Sequence, residues 1–264
     1  MKNIKQYFGI YIGKTARELL VQGSVFYVHS IFRDVVNLIG EREELVTIAK
    51  LQKGRAWYFL NVIPEDDFLL TVTIDDVFYR ESESLVSDKV KISLKDAVLW
   101  QGVKEDINRK GLKKAVRLLA PKISEILSGE KLKKINSLPA LTLEEAFLEF
   151  LGWGEGLTPW GDDLLTGWSL ALALLEPQKT KKLYLDFAAK TRAKTHLISC
   201  QQLLPALSGQ GHEFLEKFLF NLLNRGIFDQ GSFAKILKFG ATSGEGLVAG
   251  MYFGLKQAER ELMG

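Results

Sequence analysis

Two hydrophobic periodicities divide this chain. Between about Val25 and Gln101, apolar and often β-branched residues alternate with polar ones: Val46 and Ile48, Trp57 and Phe59, then Leu70, Val72 and Ile74, then Val90, Ile92 and Leu94. That alternation predicts strands with one buried face. Turn signals at Gly40-Glu41, Lys53-Gly54, Pro64-Glu65-Asp66-Asp67 and Asp75-Asp76 separate them at short intervals, which favours an antiparallel barrel or sandwich over parallel strands joined by helices. A short helix is expected ahead of the strands, with Thr15 as N-cap and Gly23 as terminator.

After Gly102 the apolar spacing lengthens to about 3.6, the period of a helix. Predicted helices run from Leu112 to Leu119, with Pro121 as a break, and from Leu143 to Leu151, Leu164 to Leu175, Leu183 to Leu204, Phe214 to Leu223, Phe233 to Phe239 and Leu247 to Leu262. Thr142 and Glu145 have the spacing of a capping box in front of the second of these. The expected fold class is α+β: an N-terminal antiparallel β barrel or sandwich over residues 1–102, then an all-helical domain over residues 103–264 that carries a glycine-loop site.

The helix from Leu164 has almost no polar side, and such a helix is normally buried. Directly before it stand Gly152-Trp153-Gly154-Glu155-Gly156-Leu157-Thr158-Pro159-Trp160-Gly161-Asp162-Asp163. Burying the helix draws this loop, with its two adjacent carboxylates, toward the interior. A shorter echo lies near the C-terminus, where Gly244-Glu245-Gly246-Leu247-Val248-Ala249-Gly250-Met251 can be laid over Gly161-Asp162-Asp163-Leu164-Leu165-Thr166-Gly167-Trp168. Two helix starts built alike, each with a glycine six residues further in, could pack closely through Gly167 and Gly250.

Helix N-termini offer unpaired N–H groups and about half a positive charge, so both junctions are candidate anion cradles. On this reading Thr158 caps the first helix, with Pro159 at its first position. Gly154, Gly156 and Gly161 let the backbone approach a ligand, and Thr242, Ser243 and Gly244 do the same at the second. Asp162 and Asp163 are the candidate catalytic pair. Adjacent helical residues point about 100° apart, so one faces the cavity to orient a substrate amide or hold magnesium, while the other pairs with backbone N–H groups. Thr191, Thr195 and Ser199 form a line of hydroxyls at four-residue spacing, and Thr195 and Ser199 are candidate ligand contacts. The bland alternative is that the hydroxyls are plain caps or bond back to the preceding turn, the acids complement the dipole and the glycines are turns.

The 264 residues are 47% apolar and carry a formal charge of +3, which does not point to a nucleic-acid binder. The lysine groups at 110–114 and 131–134 read as solvated helix faces. Cys200 is the sole cysteine, which excludes an internal disulfide and a cysteine zinc cage. The sequence shows neither a signal-peptide core nor a membrane-length apolar run, so a cytoplasmic protein without membrane partners is expected. His29, His196 and His212 are isolated, and no P-loop, G-x-S-x-G or H-E-x-x-H signature occurs.

The loop from Gly154 to Asp163, the segment Thr195-His196-Leu197-Ile198-Ser199 with Leu204 and Gly209, and Thr242-Ser243-Gly244 with Leu247 and Gly250 resemble the AllH-like family. That family is linked to a subunit of bacterial oxamate carbamoyltransferase. Glu155 and Trp160 stand where its loop usually has proline and serine. The resemblance implies transfer of a carbamoyl group between phosphate and the nitrogen of oxamate, in a complex with two other protein subunits. The substrate expected at the two helix starts is a small carboxylate or phosphate such as oxamate or carbamoyl phosphate, with no cofactor. The Ser-Thr-Arg-Thr-Arg signature of ordinary transcarbamylases is absent, so catalysis is expected to draw on a partner chain. A binding or scaffold subunit without chemistry of its own is the main alternative; magnesium-dependent phosphate hydrolysis at the acid pair ranks last, since two acids make a thin metal site.

Overall fold

The computed structural model describes residues 4–63, 71–103, 106–127, 129–135 and 141–263. The chain divides into two compact units, Met1–Gly102 and Val103–Gly264.

The first unit is a β barrel. Its strands are β1 (Lys5–Gly13), β2 (Val25–Ile31), β3 (Val35–Gly40), β4 (Leu45–Lys50), β5 (Phe59–Ile63), β6 (Val77–Glu81), β7 (Ser84–Val86), β8 (Val90–Ser93) and β9 (Val98–Trp100). They follow the order β5-β4-β3-β2-β6-β7-β8-β1-β9, and pairing of β1 with β5 closes the ring. Closure leaves few sheet edges open to another chain. Most pairs are antiparallel, as the turn spacing predicts, but β1 runs parallel to β8 and β9, and β4 parallel to β5. Alternation works as read in β8, where Val90 and Ile92 point in, packing with Phe26, Leu38, Ile48 and Phe78.

Some local expectations change. Helix α1 (Lys14–Leu19) starts after Gly13 rather than at Thr15, and its last turn ends at Leu20 rather than Gly23. The predicted strand through Val72 and Ile74 is a turn, because the Asp76 carboxylate accepts the Thr73 N–H at 2.7 Å and holds the chain in a bend; Leu70 and the Pro64–Asp67 signal lie outside the described residues.

The second unit is helical: α2 (Leu112–Ile126), α3 (Gly129–Ile135), α4 (Leu143–Phe150), α5 (Trp160–Leu175), α6 (Pro177–Lys194), α7 (Leu197–Ala206), α8 (Glu213–Phe220), α9 (Gln230–Ile236) and α10 (Ser243–Met263). Pro121 does not break α2. It lies on an exposed side while Leu112, Ala115, Val116, Leu119 and Ile123 keep one buried stripe across it, so water can take the carbonyl that proline leaves unpaired. The capping box at α4 is present, with Thr142 and Glu145 bonding each other's backbone N–H. The long helix read from Leu183 to Leu204 is two: Thr195 leaves helical geometry at φ −135° and ψ 175°, and His196 is the N-cap of α7. Helix α8 passes into a π-helical turn, Asn221–Arg225.

At the centre lies α5, buried along its length except for Leu174. It packs on α10 through glycines. A Cβ on Gly167 would fall 2.0 Å from the Leu247 carbonyl oxygen, and one on Gly250 would fall 1.9 Å from that of Leu164. Each glycine therefore admits the other helix's backbone one turn before its counterpart. Gly246 faces Asp163, and Gly254 faces Ala171. Positions that align in sequence thus meet level in space, so the two helices run in the same direction and start at the same end.

Candidate functional site

The two helix starts meet through their hydroxyls. Thr158 Oγ1 lies 3.0 Å from Ser243 Oγ, and Ser243 also hydrogen-bonds the carboxyl of Asp163. Either hydroxyl can donate to the other. Neither hydroxyl is the cap that sequence spacing suggests: Pro159 occupies the N-cap of α5, without a side-chain bond, and the helix begins at Trp160.

The backbone amides are less open than expected. Gly161 N–H donates to the Trp153 carbonyl at 2.7 Å, and Asp162 and Asp163 N–H both donate to that of Pro159. On α10, Gly244 N–H is taken by Phe239 and Gly246 N–H by Thr242. Gly161 and Gly244 answer to packing, since a Cβ would fall 2.0 Å from the Phe150 carbonyl oxygen at the first and 2.3 Å from that of Ile236 at the second. Gly154 and Gly156 do lie in the exposed loop, at φ +115° and +86°, a region L-residues rarely adopt.

The two acids have different work. Asp162 Oδ1 accepts the Gly152 N–H at 2.7 Å, and Oδ2 accepts the Thr195 hydroxyl. Asp162 therefore ties the start of the glycine loop to the α6–α7 break. Ser199 fastens the same loop by donating to the Leu157 carbonyl at 3.4 Å, and Thr191 bonds back to Phe187. Thr195 and Ser199 are thus loop anchors in this arrangement, and Thr242 is exposed at the start of α10.

Asp163 is 2% exposed, and its Oδ2 has no hydrogen-bond partner. Burial pushes its pKa up, the Ser243 hydrogen bond opposes the rise and the neighbouring Asp162 charge adds to it, to about 8. The raised pKa favours the protonated form at neutral pH, and Oδ2 has no hydrogen-bond partner in the protein. Asp163 is buried, Thr158 and Ser243 are half-buried, and Gly154–Leu157 are exposed.

Sequence reasoning missed the aromatic and cationic wall. Trp153 stacks edge-on to Trp160 at 5.5 Å, and the buried Trp160 Nε1 lacks a partner. Lys131 Nζ lies 5.7 Å from the centre of the Trp160 ring and 2.6 Å from Glu245 Oε2, while Lys134 covers Phe150 and Trp153. This lysine run is therefore not a plain solvated face; its spacing alone gave no sign of the rings beneath it. The histidines stay outside: His196 is the N-cap of α7 without a side-chain bond, His212 accepts the Phe214 N–H and His29 pairs with Ser30. The described residues hold no cluster of three or more His, Cys, Asp or Glu fit for a metal, and no helix among them is long and apolar enough to cross a membrane.

Comparison with known families gives two matches. Residues 150–255, from the end of α4 through most of α10, match the family of the oxamate carbamoyltransferase subunit AllH, and residues 9–99 match the AllH family N-terminal domain. No curated protein and no solved structure matches the chain. With most of the barrel and the whole glycine-loop region matched to two parts of one family, the chain belongs to the AllH family, that of an oxamate carbamoyltransferase subunit.

Proposed function

We propose that this subunit binds a small anionic carbamoyl substrate where α5 and α10 begin, and that Asp163 exchanges a proton with the substrate nitrogen. The reading rests on one observation: a buried carboxyl with an unpartnered oxygen, its pKa raised to about 8, beside two helix starts joined by Thr158 and Ser243.

The chemistry follows from that protonation state. When phosphate attacks the carbamoyl carbon of N-carbamoyl oxamate, a C–O bond forms and the C–N bond breaks. Asp163 gives its proton to the departing nitrogen and becomes a carboxylate, held by the Ser243 hydroxyl and the helix dipoles. In the opposite direction oxamate nitrogen attacks carbamoyl phosphate and returns its proton to Asp163. A pKa near working pH suits both directions. The Thr158 hydroxyl, the flexible Gly154–Gly156 segment and exposed Thr242 contact substrate oxygens, while Asp162, Thr195 and Ser199 set the loop's position.

A second reading, a binding subunit whose partners do the chemistry, draws support from the engagement of Gly161, Asp162, Asp163, Gly244 and Gly246 amides within the protein. One assay separates the two. The subunit is purified with its partner chains, and transfer from carbamoyl phosphate to oxamate is measured for wild type and D163N. Proton exchange at Asp163 predicts a fall of about 100-fold or more in kcat. Unchanged kcat with ligand-dependent thermal stabilisation leaves only the binding reading.

A further inference from the structure

We infer that Lys131 is the cation that receives the phosphate end of the substrate, releasing Glu245 as it does so. This rests on the reading above that an anion binds at the paired helix starts.

The site as built has donors but little net positive charge. Thr158 and Ser243 offer neutral hydroxyls, and Asp163 offers a buried carboxyl with an unpartnered oxygen and a raised pKa. A phosphate or carbamoyl phosphate brings up to two negative charges. Hydrogen bonds to charged partners are the stronger kind, and a full cation is the missing part. Lys131 touches the first turn of both helices. Its Nζ lies over the ring of Trp160, the first residue of α5, and 2.6 Å from Glu245 in the first turn of α10.

The existing pair is exchangeable. The Lys131 and Glu245 side chains are 26% and 33% exposed, so water reaches both and the pair contributes little to holding the fold. A lysine carries its charge on a flexible four-carbon stem that can swing between acceptors. Glu245 lies one residue from Gly246, whose backbone packs on Asp163. The flexible stem lets the ammonium leave Glu245 for an anion at the helix starts, with the Trp160 ring beside it. Glu245 competes with the incoming anion for the same cation and keeps the empty site neutral.

Inorganic phosphate is the probe, titrated calorimetrically at constant ionic strength into the full-length subunit. Lys131→Gln is expected to weaken binding about tenfold or more, with Lys131→Arg retaining most of it. Glu245→Gln, which removes the competitor, is expected to tighten binding several-fold. Thermal unfolding without phosphate establishes that each variant is folded. Equal weakening by both glutamine variants marks a merely structural pair and overturns the inference, as does no change in either. If Asp163→Asn weakens phosphate while the Lys131 and Glu245 variants do not, the anion site stands and the role of Lys131 falls. Absence of phosphate binding by the wild type removes both.

Discussion

Replacing Asp163 by asparagine tests the electrostatics of the site without requiring any substrate. The side chain keeps its shape, can still accept from Ser243, and cannot ionise. In wild type, burial moves the Asp163 pKa from 3.8 to about 8. Below pH 3.8 the folded and unfolded chains both hold the proton, and its stabilising contribution is fully present. Between 3.8 and about 8 the unfolded chain ionises while the folded chain does not, so stability falls steadily as pH rises through this window. Each tenfold difference in proton affinity between the two states is worth about 1.4 kcal/mol, so the accumulated loss approaches about 6 kcal/mol at the alkaline end. Other titrating groups contribute to both proteins and largely cancel in the difference. Urea unfolding of wild type and Asp163→Asn from pH 4 to pH 9 should therefore show near-equal stability in acid and a variant ahead by several kcal/mol in alkali. A difference that stays constant with pH would refute the claim that Asp163 is held neutral.

Substitutions at three further positions probe the frame around it. Gly250→Ala puts a methyl where the Leu164 carbonyl already lies 1.9 Å away, and Gly167→Ala does the same against Leu247; each should cost about 3 kcal/mol or more by denaturant midpoint, and an unchanged midpoint would mean the helices are not in backbone contact. Thr195→Val removes the hydroxyl donor to one oxygen of buried Asp162; a loss of about 2 kcal/mol is expected, with Thr195→Ser close to wild type, and equal losses in both variants would assign the effect to packing instead.

Much of this architecture is legible in the residues, for identifiable reasons. Strict alternation, as in Val90 and Ile92, marks a barrel wall because side chains leave a strand on alternate faces. The absence of a polar side from Leu164 to Leu175 announces a central helix. Gly167 and Gly250, equally placed in similar segments, anticipate the contact between α5 and α10. What sequence patterns do not carry is set by distant partners. The break at Thr195 has no glycine or proline, because the Asp162 carboxylate rather than local propensity takes its hydroxyl. Pro121 reads as a terminator only until the exposed side of α2 is known. The division of work between Asp162 and Asp163 needs the positions of Gly152, Thr195 and Ser243, which lie on three other segments. Lys131 looks like any surface lysine until Trp160 and Glu245 arrive beneath it.

The parallel course of α5 and α10 has an electrostatic consequence that bears on function. Side-by-side helices running the same way set like poles together, which is unfavourable and must be answered at both ends. At the far end Arg109 donates to the Leu175 carbonyl at 2.5 Å and Lys179 pairs with Glu261 at 2.5 Å, while burial and the neighbouring Glu261 push the Glu176 carboxyl upward. At the starting end, Asp162 and Glu245 occupy equivalent first-turn positions and supply negative charge, Asp162 to Gly152 and Thr195, Glu245 to Lys131. Asp163 lies in the first turn of α5, where burial raises its pKa and favours the protonated form. On the proposed reading, an anion arriving from solvent meets those poles together with the Asp163 proton and, once Glu245 yields it, the Lys131 ammonium. A pair of antiparallel helices would cancel its poles at each end and offer no such concentration of positive potential, which is why the direction of α10 matters as much to the proposed chemistry as the identity of any one side chain.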